Sequence, residues 1–237
     1  MLLNLIDKKW PLDIVVFYNT GMEFDCIYAI RDKVCELLLE HGISFVELHP
    51  PEPFMYSMLE RKIKYKRQDG FHYGYGWCGG PCRWGTKFKI NAIQKFKKSL
   101  CDTVVDYVGI AADEPSRFTK ARQEGKVLPL VEWGMTEADC LEYCHKYGFY
   151  WIERVANAGV IYMDIYDLLD RVSCWCCCNK NLKELRHIYN HLPQYWERLK
   201  ILQKEIDRPF KGYYKGQPVG IFELEKRFIA EEENEVT

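Results

Sequence analysis

The chain has 237 residues, 48% of them hydrophobic and 28% charged, with 33 Lys and Arg against 34 Asp and Glu for a net charge of -1. That balance excludes a highly charged disordered chain and a uniformly basic nucleic-acid coat, and no apolar run approaches the ~20 residues of a membrane span. Aromatics reach 15% and cysteines number 11. The start MLLNLIDKKWPLD has too short an apolar stretch for a secretory signal, so the expected setting is the reducing cytoplasm, with no membrane. Clustered cysteines there point to metal or sulfur chemistry rather than disulfides.

In chain order, Leu2 to Lys9 reads as the last turns of a helix stopped before Pro11. Asp13 to Asn19 is a short apolar run and reads as a buried strand. From Phe24 to His41, Ile27, Ile30, Val34, Leu37 and Leu38 recur at helical spacing, with Gly42 placed to end the helix. Ile43 to Leu48 reads as the next strand, broken by Pro50, Pro51 and Pro53. Asp69 to Gly80 (DGFHYGYGWCGG) reads as a glycine-aromatic loop, followed by a helix from Thr86 to Leu100. Thr103 to Ala111 and Val127 to Val131 read as strands, and Thr136 with Asp139 as a capping box for a helix ending near Gly148. Asn179 to Leu192 is amphipathic, and Pro193 opens a further helix that carries Trp196, Leu199, Leu202 and Ile206 inward. EEENEVT at the C-terminus reads as a frayed acidic tail.

Strands separated by helices imply an α/β fold, a mainly parallel Rossmann-like sheet with helices on both faces. The expected division is an α/β nucleotide-binding-like domain over 1–172 and a Cys cluster with a helical region over 173–237. Ligands in such folds sit beyond the carboxyl ends of the strands. Two loops there carry polar chemistry, Asn19 to Phe24 and Gly109 to Arg117.

Charge is uneven. Between Glu60 and Leu100 lie 11 Lys and Arg against two acids, so the window carries +9. Two readings stand: solvated helix faces, or a flank that binds phosphate or nucleic acid, where the neighbouring aromatics permit base stacking.

The cysteines fall into two kinds. Cys26, Cys35, Cys101, Cys140 and Cys144 read as core residues. Cys78-Gly79-Gly80-Pro81-Cys82 instead exposes two thiols on a turn, and Cys174-Trp175-Cys176-Cys177-Cys178 contains a C-x-x-C bite. Two such pairs, Cys78, Cys82, Cys174 and Cys177, supply four thiolates for zinc or for the corners of an iron–sulfur cluster. Redox-active free thiols and plain packing are the alternatives, and Cys176 and Cys178 leave the register open.

Five segments in order carry a resemblance: VVFYNTGMEF, WCGGPCRWGTK, GIAADEPSR, PLVEWGMTEADCLEYC and RVSCWCCCNKNLKELRHIY. Together they resemble the phosphoadenosine phosphosulfate (PAPS) reductase family of the adenine nucleotide alpha-hydrolase (PP-loop) superfamily. The resemblance implies adenosine-nucleotide-linked sulfur chemistry, either sulfonucleotide reduction or ATP-dependent sulfur transfer. It implies PAPS or ATP as substrate, a 4Fe-4S cluster or zinc on the four cysteines, and an electron-donor protein as partner. It places Thr20, Gly21 and Glu23 near the adenosine end of the site. Asp113, Glu114 and Arg117 fall on the opposite lip, where Arg117 pairs with phosphate or sulfate oxygens, and Lys87 faces the anion. Read without the resemblance, Thr20 and Gly21 form a helix entry, and Asp113, Glu114 and Arg117 a solvated turn.

Three departures accompany the resemblance. The family's Ser-Gly-Gly-Lys-Asp-Ser type loop would precede Met1, so the sequence is expected to lack its first strand and main anion cradle. The family's Asp before Thr-Gly is Asn19, and no cysteine follows Cys178 to act as the thiol nucleophile. A non-catalytic nucleotide- or metal-binding relative and a nucleic-acid modification factor are therefore the alternative functions. Among the six histidines only His72, in the glycine-aromatic loop, stands near this chemistry.

Overall fold

The computed structural model describes residues 1–79, 82, 85–100, 102–157 and 160–235. Gly80, Pro81, Arg83, Trp84 and Cys101, singled out above or flanking the first thiol pair, lie outside the described residues.

The elements run α1 (Leu2–Asp7), β1 (Ile14–Tyr18), α2 (Asp25–Glu40), β2 (Ser44–Leu48), β3 (Lys62–Lys64), β4 (Phe71–Tyr73) and α3 (Thr86–Ser99). Then follow α4 (Phe118–Gln123), α5 (Pro129–Glu132), α6 (Glu137–Lys146), β5 (Ile152–Asn157) and β6 (Val160–Asp164). The chain ends with α7 (Leu182–His191), α8 (Pro193–Glu205), β7 (Tyr213–Tyr214), β8 (Gln217–Pro218) and α9 (Ile221–Glu235). The protein thus mixes helices and strands, as an α/β class requires.

Among the described residues the strands pair two by two, β1 with β2, β3 with β4, β5 with β6 and β7 with β8. Ser44 N–H donates to Asp13 C=O and Asn19 N–H to Leu48 C=O, so β1 and β2 run parallel. The other three pairs are antiparallel. The strand expected over Thr103 to Ala111 reduces to one parallel bridge between Tyr107 and Val127. Pro129 lies at the head of α5 instead of inside a strand, since it has no N–H for a ladder.

The chain divides into two compact units. The first holds residues 1–17, 30–46 and 93–150. Ile110, Ala121 and Leu128 form a small core there, with Val108, Phe118 and Val131 against it. Trp10 meets Trp133 edge-on at 5.1 Å and Tyr107 at 5.8 Å. The second holds residues 18–29, 47–92 and 151–237, so 173–237 pack in one unit with 151–172. Its core is larger, built around Phe24, Ile165, Leu185, Ile188, Tyr195 and Trp196.

Helix ends follow local chemistry. Thr136 and Asp139 form the capping box of α6, and Asn181 and Glu184 that of α7. Pro193 starts α8, whose inward face buries Trp196, Leu199 and Leu202. In α9 the acidic C-terminal stretch continues the helix to Glu235, beginning from the buried Ile221, Leu224 and Phe228.

Candidate functional site

Thr20, Gly21 and Glu23 lie in the turn between β1 and α2. Gly21 takes φ +79° there, a left-handed value that favours glycine. Thr20 Oγ1 donates to Glu23 Oε1 at 2.7 Å and accepts Met22 N–H at 3.1 Å. Asn19 accepts Gly21 N–H at 2.8 Å and Tyr28 O–H at 3.2 Å, and its amide donates to Glu47 at 2.7 Å.

The second cysteine segment is tied to this turn. Trp175 N–H donates to Met22 C=O at 3.1 Å, and Cys174 Sγ lies 3.7 Å from Thr20 Oγ1. Cys177 N–H donates back to Cys174 C=O at 3.0 Å, closing a tight turn that brings the two thiols of the C-x-x-C together. Burial, then the Glu23 carboxylate, push the Cys174 thiol up to about 12, against the Thr20 hydroxyl. Cys177 and Cys82 add to the rise.

The first cysteine pair reaches the same neighbourhood. Burial raises the Cys82 thiol, and the sulfurs of Cys78 and Cys177 raise it further. The N–H groups of Gly85 and Thr86 oppose the rise, Gly85 donating to Cys82 Sγ at 3.2 Å. Cys78, Cys82 and Cys174 all pack against the core of the second unit. Cys176 and Cys178 are buried within that core, whereas Cys78, Cys82, Cys174 and Cys177 are half-buried. None of the six is in a disulfide. Among the described residues no three Cys, His, Asp or Glu side chains already stand in a metal-ligating arrangement. The two pairs share a neighbourhood and an electrostatic field without forming a closed cage.

The other expected residues take no part in these contacts. Lys87 is exposed on the first turn of α3. Asp113, Glu114 and Arg117 belong to the first unit. Asp113 accepts Glu137 N–H at 3.2 Å at the start of α6. Arg117 Nη1 donates to both Glu114 oxygens at 2.8 and 2.7 Å, so that cation already has a carboxylate partner.

Three features were not legible in the sequence. Lys180 is 3% exposed beside the second thiol pair and donates to Ser173 Oγ at 3.1 Å. Burial lowers its pKa, and Glu184 with the thiols of Cys177, Cys174 and Cys176 opposes that. Lys211 donates to the carbonyls of Cys178 and Lys180 at 2.7 and 2.8 Å, pinning the segment from its other side. A cavity of about 480 Å³ lies beside Cys78, lined also by Ile63, His72, Trp77 and Arg208. Its size falls in the range of small-ligand sites. The one signal was composition: Asn179-Lys180 directly follows four cysteines in five residues.

No family model matches the chain, and no solved structure matches it. It is similar to an uncharacterised protein of Methanocaldococcus jannaschii, 24% identical over 202 residues. The match takes in 81% of this chain and 36% of that protein, so the chain spans about a third of its relative's length.

Proposed function

We propose that the protein belongs to the PAPS reductase family and carries out adenosine-nucleotide-linked sulfur chemistry, either sulfonucleotide reduction or ATP-dependent sulfur transfer. In this reading Cys78, Cys82, Cys174 and Cys177 hold zinc or a 4Fe-4S cluster, and the Thr20–Glu23 turn meets the nucleotide. One observation supports it: Cys174 Sγ lies 3.7 Å from Thr20 Oγ1, and Cys82, more than ninety residues away in sequence, is near enough to Cys174 and Cys177 for their charges to be felt. Four thiolates are the donor chemistry of zinc or iron–sulfur, although among the described residues no three of them stand in a ligating arrangement, and Lys180 lies buried beside the second pair. A bound metal or cluster would supply structure to the turn or electron transfer; reduction would draw on an electron-donor protein.

A second reading, nucleotide or metal binding without turnover, has one observation in its favour. Arg117, the cation expected for the substrate anion, is engaged by Glu114. Calorimetric titration of the full chain with PAPS, ATP and AMP tests the nucleotide half of both readings. Saturable heat, weakened about ten-fold by Thr20→Val through removal of the hydrogen bonds to Glu23 and Met22, is the expected result. No heat with any of the three would overturn it.

A further inference from the structure

The sequence window of highest positive charge includes a two-stranded ribbon whose two faces differ in kind. The β3–β4 register sets Lys62 opposite Tyr73, Ile63 opposite His72 and Lys64 opposite Phe71. Side chains alternate across a strand, so Lys62, Lys64, Phe71 and Tyr73 share one face while Ile63 and His72 share the other. The first face is open to solvent: both lysines are exposed, Phe71 is 51% exposed and Tyr73 69%. The second face is half-buried and lines the cavity beside Cys78.

Large exposed aromatics on a short edge ribbon are costly unless a partner covers them. Here they alternate with cations. Lys62 Nζ sits over one face of the Phe71 ring, 4.3 Å from its centroid, so the opposite face of that ring is the one a base would stack on. The connecting turn adds Lys66 and Arg67, both exposed, against the single acid Asp69. Tyr65, at the turn's edge, packs on His72 at 5.2 Å. Arg61, just before β3, is already paired with Glu52 at 2.6 Å and adds no open cation to this face. Among the described residues no ion pair engages Lys62, Lys64, Lys66 or Arg67.

We propose that this face of the β3–β4 ribbon binds single-stranded nucleic acid, with bases stacked on Phe71 and Tyr73 and phosphates held by Lys62, Lys64, Lys66 and Arg67. Flat π faces two residues apart on one strand give successive platforms for bases, and rows of cations beside them track a polyanionic backbone. An acidic peptide or an anionic membrane would satisfy the cations but gives the paired aromatic platforms no stacking partner. A duplex keeps its bases stacked inside. The proposal rests on the ribbon alone and needs neither the metal nor the adenosine-nucleotide reading.

The test is fluorescence anisotropy of the full-length chain with labelled single-stranded RNA and DNA of one mixed sequence. Arms with the matching duplex, polyglutamate and phosphatidylserine vesicles run beside them. Expected is tighter binding of a single strand than of any of these three; the RNA and DNA arms show which sugar is preferred, and either preference supports the proposal. Phe71→Ala with Tyr73→Ala should weaken that binding about ten-fold or more, with the salt dependence kept. Lys62→Gln with Lys64→Gln should instead lower the slope of log K against log salt by about 1.4, at ~0.7 for each phosphate no longer neutralised. Circular dichroism and the melting temperature of each variant, unchanged from the parent, show that these exposed substitutions leave the fold intact. Equal affinity for polyglutamate, vesicles or duplex, no binding of either strand, or aromatic variants that bind like the parent would each overturn it.

Discussion

Asn19 shows how one amide organises the turn at the site. Its Nδ2 donates to the Glu47 carboxylate at 2.7 Å while its Oδ1 accepts from Gly21 and Tyr28. An aspartate could make the second pair of bonds but would set a carboxylate against Glu47. Asn19→Asp should therefore destabilise the protein by about 1–2 kcal/mol near neutral pH, with part of the loss recovered on acidification as one carboxylate takes a proton. Denaturant unfolding at two pH values checks this, and an Asp as stable as the Asn would show that the Glu47 contact is idle. The departure from the Asp-Thr-Gly of the family it resembles is plain in the sequence; the partner of Asn19 is not, because Glu47 lies 28 residues away on β2.

Glu153 poses the opposite problem of charge. It is 2% exposed and accepts Cys26 N–H at 2.8 Å and Tyr195 O–H at 3.1 Å. Burial raises its pKa above the ordinary 4.5, against those hydrogen bonds. A folded pKa above the unfolded one favours the protonated form, so the stability it contributes is full below 4.5 and fades as pH rises through the folded value. Glu153→Gln keeps an acceptor for both donors without the charge. From about pH 4 upward, the wild type should thus lose stability relative to this variant. Glu153→Ala should cost about 2–4 kcal/mol below about pH 4, because it leaves the buried Cys26 and Tyr195 donors unpaired, and less as pH rises and the wild-type carboxyl becomes costly to bury. Parallel pH curves for wild type and Glu153→Gln would show that the carboxyl does not titrate differently on folding.

At the scale of elements, what was legible follows a physical rule. Helices α2, α3, α6, α7 and α8 carry long apolar periods or explicit caps, and each lies within a few residues of its expected place. The ribbon β3–β4 reads as loop in the sequence because its strands are three residues each and its composition is dominated by charge and glycine. A backbone contact holds it in place instead. Gly74, at φ +66°, has the Met58 carbonyl where a Cβ would stand, and its N–H donates to Arg61 C=O at 2.8 Å. Gly74→Ala combines left-handed strain with a clash against rigid backbone, and should cost on the order of 3 kcal/mol. Thermal unfolding reads this directly; a loss under about 1 kcal/mol would mean that the turn yields easily. The hairpin β5–β6 escapes for a different reason. Its run IERVANAGVIYMD carries no Asn-Gly or Asp-Gly signal, and its Glu153 is buried rather than exposed as an alternating strand pattern would suggest.

For the whole molecule, spacing groups the thiols into two short segments of sequence but says nothing of what surrounds them. C-x-x-C spacing is a local property, whereas the buried Lys180 and the contact of Cys174 with Thr20 arise only when remote segments meet. Strand pairing was equally hidden. Apolar runs mark strands without naming partners, and the expected continuous parallel sheet appears among the described residues as the β1–β2 pair and the Tyr107–Val127 bridge. The charge asymmetry, by contrast, survives folding as a feature of the surface. The +9 window carries the exposed lysines of β3, β4's opposing aromatics and the basic face of α3. The most direct measurement is the zinc, iron and acid-labile sulfide content of the full chain purified without oxygen, beside Cys78→Ser and Cys174→Ser. One zinc ion or one cluster per chain, absent from both variants, is the predicted result. A wild-type chain free of all three, or metal that persists when either thiol pair is broken, would contradict it.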